Sequence, residues 1–543
     1  MERNCNAGTN GKGRLTGASD SAHSLSFLYD SLGRITAKTQ VQGTVTKTVN
    51  YGYTSGQMTS MTTPSGQAVL YGYNANNQIT SISINGMSVL SGVLYDPFGP
   101  ARGWTWGNGA IAVRTFDTDG KVTQIDSAGF TSYGYDDAFR ITNINDSGNS
   151  ALSWVYGYDV MDRLNSAVKT GQTRGWTYDL NGNRLTETGS SPSTFTVAGT
   201  NNRLTGVSGG FTRTYTYNAV GSALTYGTLT YTYNNRGRMK TSKVGTTTTT
   251  YVVNALGQRI KKSGGSAGTV LYLYDEAGHL LGEYSSTGVL VQETIWLGDT
   301  PVATIRPKTG GFEFFYVHTD HLNTPRRVSR PLDNQLRWRW DSDPFGTAVP
   351  NENPATLGAF KYNLRYPGQY FDVESGLNYN YFRDYDAAIG KYVESDPVGL
   401  KAGVNTYAYV ENNPIMKTDL LGLTSCDGKW VKWGETIPSL PGPGWTLSPG
   451  TCFCQWMCVP CRRGIAWSGN VYSLPTTRGI VLVDYSGNQS PNTGSAGIRP
   501  TPSGPARGQS GAAGGAYTCI CKKPSEETRN GPGCDKCYPD SNF

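Results

Sequence analysis

Tyr156-Gly-Tyr158-Asp159-Val-Met-Asp-Arg163-Leu164 and Trp176-Thr-Tyr178-Asp179-Leu-Asn-Gly182-Asn183-Arg184-Leu185-Thr186 are two copies of one phrase, and their reading decides the fold. Two aromatics flank one residue. Asp or Asn follows, then two loose positions, usually Gly, a polar residue and an aliphatic. The phrase recurs as Phe27-Leu-Tyr29-Asp30-Ser-Leu-Gly33-Arg34-Ile35-Thr36, as Tyr133-Gly-Tyr135-Asp136-Asp-Ala-Phe-Arg140-Ile141-Thr142 and as Tyr272-Leu-Tyr274-Asp275-Glu-Ala-Gly278-His279-Leu280. Weaker copies begin near Tyr51, Tyr71, Leu94, Thr115, Tyr215, Tyr231 and Tyr251. That makes about twelve copies at roughly 16–24-residue spacing, a period that marks a repeat architecture.

Each copy spells a β-hairpin. Residues i and i+2 of a strand share a face, so Tyr-x-Tyr puts two aromatics on one side. Asp or Asn starts a turn through its own backbone, Gly supplies positive φ, and the β-branched residues favour a return strand. A lone hairpin is unstable in water, so neighbours must pair into one long sheet. A Tyr-rich low-complexity tract is the competing reading, but composition alone would not keep the turn residues in phase with the aromatics. The fold class is therefore all-β.

The 543 residues could supply three or four domains, yet the repeats argue for one continuous β-structure plus an appendage. Charged residues are only 16%, and the net charge of +7 is spread along the chain without a basic block, which argues against nucleic-acid binding by the repeats. Met1 to Asn10 is polar and has no apolar core of a Sec signal. No apolar run reaches about 18 residues, so no membrane span is expected. Export would use a non-Sec route, or the chain is a fragment of a longer one. Nine of the 10 cysteines fall at or beyond Cys426, so a boundary is placed near residue 423.

Between 312 and 423 the phrases become denser. They include Tyr316-Val-His318-Thr-Asp320-His321, Trp338-Arg-Trp340, Tyr366-Pro367-Gly368-Gln369-Tyr370, Tyr381-Phe382-Arg383-Asp384-Tyr385-Asp386, Ser395-Asp396-Pro397-Val-Gly399-Leu400 and Asp419-Leu-Leu421-Gly422-Leu423. This stretch resembles the RHS repeat-associated core, and residues 25–423 as a whole resemble the RHS/YD-repeat family. The resemblance implies a ribbon spiralling into a hollow shell, wholly or in part, that a core plug closes at one end and that holds a variable C-terminal domain, commonly a toxin. The divisions expected are a polar segment at 1–24, repeats at 25–311, core at 312–423 and a cysteine-rich domain at 424–543. The bridge 486–516 is rich in Gly, Pro and Ser and reads as a flexible linker.

The same resemblance implies one reaction, aspartic self-cleavage after the closing phrase, at Leu423–Thr424. Carried over by position, its residues are Asp384 and Asp396, with Arg383 beside them. Two close carboxyls cannot both ionise, so one can act as acid while the other activates water. The chain would then be at most an intramolecular aspartic autoprotease. The family's Pro after the last Asp is Leu420 here, which loses a fixed φ and is expected to loosen how the bond is presented. Turn capping is the plainer role for both Asp residues. His318 and His321 stand three apart, as in a metal pair, but lack a matched third ligand and read as packing residues.

The tail keeps two readings open. Cys452, Cys454, Cys458 and Cys461 form one C-x-C, C-x-x-C group, and Cys519, Cys521, Cys534 and Cys537 another. They suit two zinc ions or four disulfides, with disulfides preferred for a delivered domain. No histidine lies in the tail, which excludes His-dependent chemistry there, and no other cofactor is implied. Its 11 Lys and Arg against 7 Asp and Glu give +4, which fits an anionic target without naming one. About 24 strands at ~4.8 Å make a ribbon of ~115 Å, or one circuit ~37 Å across with ~27 Å inside the side chains. A compact 120-residue domain is ~35 Å across, so enclosure looks tight. The expected partners are the chain's own tail as cargo, a chain that completes the shell, a secretion system and an immunity protein. A bacterial protein is expected, secreted or at the cell surface, or cytoplasmic before delivery. The alternatives are a cell-surface, wall-associated repeat protein stacking carbohydrate on its tyrosines, and a silent C-terminal RHS fragment.

Overall fold

The computed structural model describes residues 10–423 apart from positions 98 and 267, and beyond these only the backbone of a few short strands. The chain divides into Met1–Ser425 and Cys426–Phe543. In the second unit Gly428–Lys432 pairs with Trp456–Pro460, and Val471–Thr476 with Gly479–Asp484. The eight cysteine side chains of the zinc and disulfide readings lie outside the described residues, as does Thr424.

The first unit is all-β, as the repeats predict. A single sheet of 33 strands runs antiparallel from each strand to the next, and the ribbon ends at Leu336–Arg339. The first 28 residues of the 312–423 segment thus continue the wall, and the remainder forms a plug.

The copy at 156–164 explains the ribbon. Asp159 closes the turn: its N–H donates to the Arg163 carbonyl at 2.9 Å, and its Oδ1 accepts the Arg163 N–H at 3.0 Å. Asp162 stands where the phrase usually has Gly and takes φ +60°, as Phe139 does at +66°, so the turn imposes the left-handed conformation even on side chains. The first aromatic of each pair faces inward and is buried: Tyr51, Tyr71, Tyr133, Tyr156, Tyr215 and Tyr231 all do so. The second aromatic staples one hairpin to the one before. Tyr158 donates to the Ile141 carbonyl at 2.7 Å, Tyr178 to Leu164 at 2.8 Å and Tyr217 to Leu204 at 2.9 Å. Arg140 lies 5.0 Å over the Tyr158 ring and Arg163 4.9 Å over Tyr178, so the polar residue of one repeat covers the aromatic of the next. The residue between the aromatics points outward and matches its partner across the strands. Gly157 faces Ser166, whose hydroxyl would lie 2.4 Å from a Cβ, whereas Thr177 bonds Thr186 at 2.6 Å.

The pairing register slips beside the second aromatic, between Gly157 and Tyr158, Thr177 and Tyr178, and Gly134 and Tyr135 alike. A bulge at one fixed place per repeat adds twist and bend there each time, so the ribbon curls.

The curl brings the ribbon back upon itself. On the fourth strand, Ile35–Gln42, Lys38 and Gln40 donate to the Tyr274 and Tyr272 carbonyls of the twenty-seventh, Val270–Tyr274. On the thirty-second strand, Pro325–Ser329, Arg327 bonds Asp146 at the end of the fourteenth, Ile141–Asp146. The circuit therefore shortens from twenty-three strands to eighteen, and the later turn lies inside the earlier one. Leu271, Leu273, Leu281 and Ile295 pack outward against Val49, Val69, Ile82 and Trp106. Tyr272, Tyr274 and Leu280 pack inward against Trp338, Tyr370 and Tyr379. Strands buried on both faces read as unbroken apolar runs, as Val270-Leu-Tyr-Leu-Tyr274 does. Buried Glu293 seals the overlap, accepting from Ser65 N at 2.9 Å, Ser65 Oγ at 2.6 Å and Tyr284 Oη at 2.7 Å.

The plug sits against the inner face. It carries a small sheet of Tyr370–Asp372, Leu377–Asn380, Arg383–Asp386 and Lys391–Tyr392. Leu377, Ile389 and Val393 join the wall's Phe195, Tyr215 and Tyr231 in one apolar cluster, and Phe345 and Ile415 join Tyr133, Tyr156 and Trp176 in another. The interior of this unit is occupied by its own inner turn and plug.

Candidate functional site

Arg383 and Asp384 are neighbours on one short strand, so their side chains leave on opposite faces. On one face Arg383, 3% exposed, gathers the closing phrase. Its Nε donates to the Gly422 carbonyl at 2.5 Å and Nη1 to the Thr406 carbonyl at 3.1 Å. Nη2 meets Asp396 Oδ2 at 2.9 Å and Asp419 Oδ2 at 3.3 Å. The guanidinium also lies 3.7 Å over the Tyr392 ring.

Asp419 is the hub of the closing loop. Its Oδ1 accepts the Leu423 N–H at 3.0 Å, and its Oδ2 accepts Tyr392 Oη at 2.8 Å. Asn380 Nδ2 donates to the Asp419 carbonyl at 2.9 Å, and Phe382 N–H to the Leu421 carbonyl at 2.9 Å. Gly422 has φ +69°, and a Cβ there would fall 2.4 Å from the Asn380 carbonyl, so the loop needs glycine. These bonds hold residues 419–423 in place with Leu420 where the family has Pro.

Asp396 accepts the Val398 N–H at 2.9 Å, as its turn role predicts. Burial outweighs the nearby Arg383 charge and pushes its carboxyl up to about 7, with Asp419 adding to the rise. A cavity of about 210 Å³ opens beside this cluster, lined by Arg163, Gly182, Arg383, Asp396, Asn405 and Asp419 among others.

Asp384 faces the other way. Its N–H donates to Glu394 Oε2 at 2.8 Å, and the two buried carboxyls also contact each other. Burial raises both, and the Asp384 charge lifts Glu394 further. Among the described residues no hydrogen bond joins Asp384 to Asp396. The close carboxyl pairs are instead Asp384 with Glu394 and, through Arg383, Asp396 with Asp419. Neither Glu394 nor Asp419 was singled out as a site residue from the sequence. Asp419 carried a signal as the first residue of the closing phrase, whereas Glu394 had none beyond standing two residues before Asp396.

His318 is buried between Ser127 Oγ at 2.7 Å and Ser329 Oγ at 2.8 Å, and burial lowers it to about 3. His321 bonds the Ile415 carbonyl at 2.7 Å. Both are packing residues that tie wall to wall and wall to plug. Among the described residues no cluster of metal-ligating side chains occurs, and no helix is long and apolar enough to cross a membrane.

A ribbon of Tyr-Asp hairpins closing around a core phrase defines a YD-repeat shell with its RHS-type plug. The family model described as Teneurin YD-shell matches residues 127–415, more than half of the chain, and the chain belongs to that RHS/YD-repeat family. Toxin protein Tse5 of Pseudomonas aeruginosa is 39% identical over 117 residues, 22% of this chain and 8% of that protein. The probable deoxyribonuclease RhsB of Dickeya dadantii is 35% identical over 182 residues, 32% of this chain and 12% of the relative. The double-stranded DNA deaminase toxin A of Burkholderia cenocepacia is 34% identical over 109 residues, 20% of this chain and 8% of the relative. The fold is similar to that of a Photorhabdus luminescens Tc holotoxin pore with a TccC3 variant, at TM-score 0.65 and 17% identity, covering 77% of this chain and 24% of that one. A TcdB2–TccC3–Cdc42 structure matches equally, at TM-score 0.65 and 18% identity over 76% of this chain and 24% of that one. The chain thus spans well under half the length of these proteins.

Proposed function

We propose that this chain is the closing part of a toxin-carrying RHS shell and that it cuts itself between Leu423 and Thr424. The observation that carries the reading is the clamp on the closing phrase. Arg383 holds the Gly422 carbonyl together with Asp396 and Asp419, and Asp419 holds the Leu423 amide. Hydrolysis would add water oxygen to the Leu423 carbonyl carbon and leave a proton on the Thr424 nitrogen. Asp396, with its raised carboxyl, is suited to exchange that proton near neutral pH. Asp419 and Arg383 fix the loop leading to the bond. Asp384, packed against Glu394, is the second carboxyl of the family pattern.

The toxin names of Tse5 and of the Burkholderia relative support residues 424–543 as the effector, aimed at other bacteria or a host. An immunity protein and a secretion system belong to the same reading. The carbohydrate alternative gains no support, because the first aromatic of each repeat is buried facing inward and the second spends its hydroxyl on a wall carbonyl, as Tyr158 and Tyr178 do.

Intact-mass analysis of the purified chain beside Asp384→Asn and Asp396→Asn tests the cleavage. The expected result is two pieces parted after Leu423 in the wild type and one full-length chain in each variant. A wild type that stays whole refutes self-cleavage.

A further inference from the structure

Where the plug meets the wall, an amine and a carboxamide lie buried in contact. Lys391, on the plug strand Lys391–Tyr392, is 2% exposed, and Asn183, at the end of the Asp179 turn of the wall, is 1% exposed. Lys391 Nζ stands 2.6 Å from Asn183 Oδ1. The same oxygen accepts Asn405 Nδ2 at 2.9 Å. The Asn183 Nδ2 donates to Asp179 Oδ2 at 2.9 Å and to Asn202 Oδ1 at 2.9 Å. The carboxamide is therefore fixed on every side, with a nucleophile and a donor at its oxygen and a carboxylate at its nitrogen.

We propose that Lys391 and Asn183 join through an isopeptide bond that straps the plug covalently to the wall. In this step Lys391 Nζ attacks Asn183 Cγ. The Asn405 N–H supports the charge that builds on Oδ1, as donors around an oxyanion do. Once the C–N bond has formed, Nζ and Nδ2 share the Asn183 Cγ, and the Asp179 carboxylate, which already accepts from Nδ2, takes the proton from Nζ and returns it to Nδ2. The Cγ–Nδ2 bond breaks, ammonia departs and an amide links the two side chains. One amide replaces another, so no oxidant, metal or energy source enters the balance.

Two physical points favour the step. Attack requires a neutral amine, and burial pushes Lys391 down to about 7; Asp179 opposes the fall and Arg184 adds to it. Proximity supplies the rest, since groups held at contact react as if at very high concentration. The family phrase places Asn183 in a turn, but only the folded plug brings Lys391 against it, 208 residues along the chain.

The test is peptide mapping of the full purified chain, unfolded and digested with trypsin. An acylated lysine is not cut, so the expected product is a branched species joining residues 175–184 to residues 384–401, one ammonia lighter than the two alone. Lys391→Arg should give only linear peptides, and Asp179→Asn should lower the branched fraction at least tenfold. The wild-type map alone decides the matter. Linear peptides with intact Asn183 and a cut after Lys391 would overturn the proposal, as would simple deamidation of Asn183. The bond lies within residues 1–423, so its result stands apart from whether the chain cuts itself after Leu423.

Discussion

Replacing Asp372 by Ala should loosen the plug far more than removing an ion pair on the rim. Asp372 lies on the plug strand Tyr370–Asp372 and is 1% exposed. It accepts both Nη groups of Arg259, one of them at 3.1 Å, and Lys262 Nζ at 3.1 Å. Both cations belong to the wall strand Arg259–Gly264 and are themselves buried. Arg259 is ringed by Tyr379 at 4.1 Å, Tyr272 at 5.2 Å, Tyr251 at 5.3 Å and Tyr370 at 5.4 Å. The tyrosine faces soften the loss, but none can replace an anion. Lys262 keeps Glu374, whereas Arg259 loses the carboxylate it is hydrogen-bonded to and keeps only the charge influence of Asp384. Such a loss costs about 3–5 kcal/mol. At the rim, Asp30 and Arg34 form an ion pair in reach of solvent, whose removal should cost far less. Urea unfolding followed by tryptophan fluorescence measures the difference, because Trp338 and Trp340 lie fully buried in the plug cluster. Asp372→Leu combined with Arg259→Met should recover much of the loss, since apolar residues of similar size can stand in for a buried pair. An Asp372→Ala loss below about 1 kcal/mol, or no larger than that of Arg34→Ala, would refute the claim that this network locks the plug.

Tyr158→Phe should cost about 1 kcal/mol in the same assay by leaving the Ile141 carbonyl without its staple; no change would mean that water replaces the hydroxyl freely. Gly422→Ala adds about 1–2 kcal/mol of left-handed strain and a backbone clash, and should slow self-cleavage roughly tenfold in intact-mass time courses; an unchanged rate would remove the clamp from the mechanism. The Asp396 carboxyl is raised in the folded chain, so its contribution is fully present below the unfolded carboxylate range and is lost as pH rises toward about 7. Stability should therefore fall by up to about 1.4 kcal/mol per pH unit from this group between roughly pH 4 and 7, and Asp396→Asn should flatten that slope in urea titrations; an identical slope would show that Asp396 ionises freely.

The repeat was legible because its information is local. Asp159 and its turn, the inward Tyr156 and the stapling Tyr158 all lie within one phrase or the next. Burial on both faces was also written in the chain, as Leu271 and Leu273 alternating with Tyr272 and Tyr274, where the copies at Tyr51, Tyr71, Tyr133, Tyr156, Trp176, Tyr215 and Tyr231 carry Gly or Thr after the first aromatic; a single Leu does not suffice, since Leu28 between Phe27 and Tyr29 is exposed. The site was legible only in part. The family resemblance named Arg383, Asp384 and Asp396, but strand alternation sends Asp384 away from Arg383, and that follows only once residues 383–386 are known to be extended. Glu394 meets Asp384 through the strand order of the plug, and Lys391 meets Asn183 through the docking of plug on wall. Contacts of that kind depend on the whole fold and leave no trace in a short phrase.

The narrowing circuit decides what this ribbon can hold. Twenty-three strands at ~4.8 Å give a ring ~35 Å across, and eighteen give ~28 Å. Side chains take ~5 Å from each wall, and a second sheet layer takes another ~10 Å where the turns overlap. What remains is roughly 15–25 Å wide, and the plug's aromatic clusters fill it. A compact body of the size of residues 424–543 is ~35 Å across, so a ring around it must be ~45 Å wide at the backbone, or about thirty strands per turn with no inner layer. The bulge at each second aromatic sets the curvature, and the step from twenty-three to eighteen strands runs away from that size toward the plug. Coiled in this way, the ribbon narrows toward its plug. An enclosed cargo therefore requires wider turns of the same ribbon than these 33 strands provide.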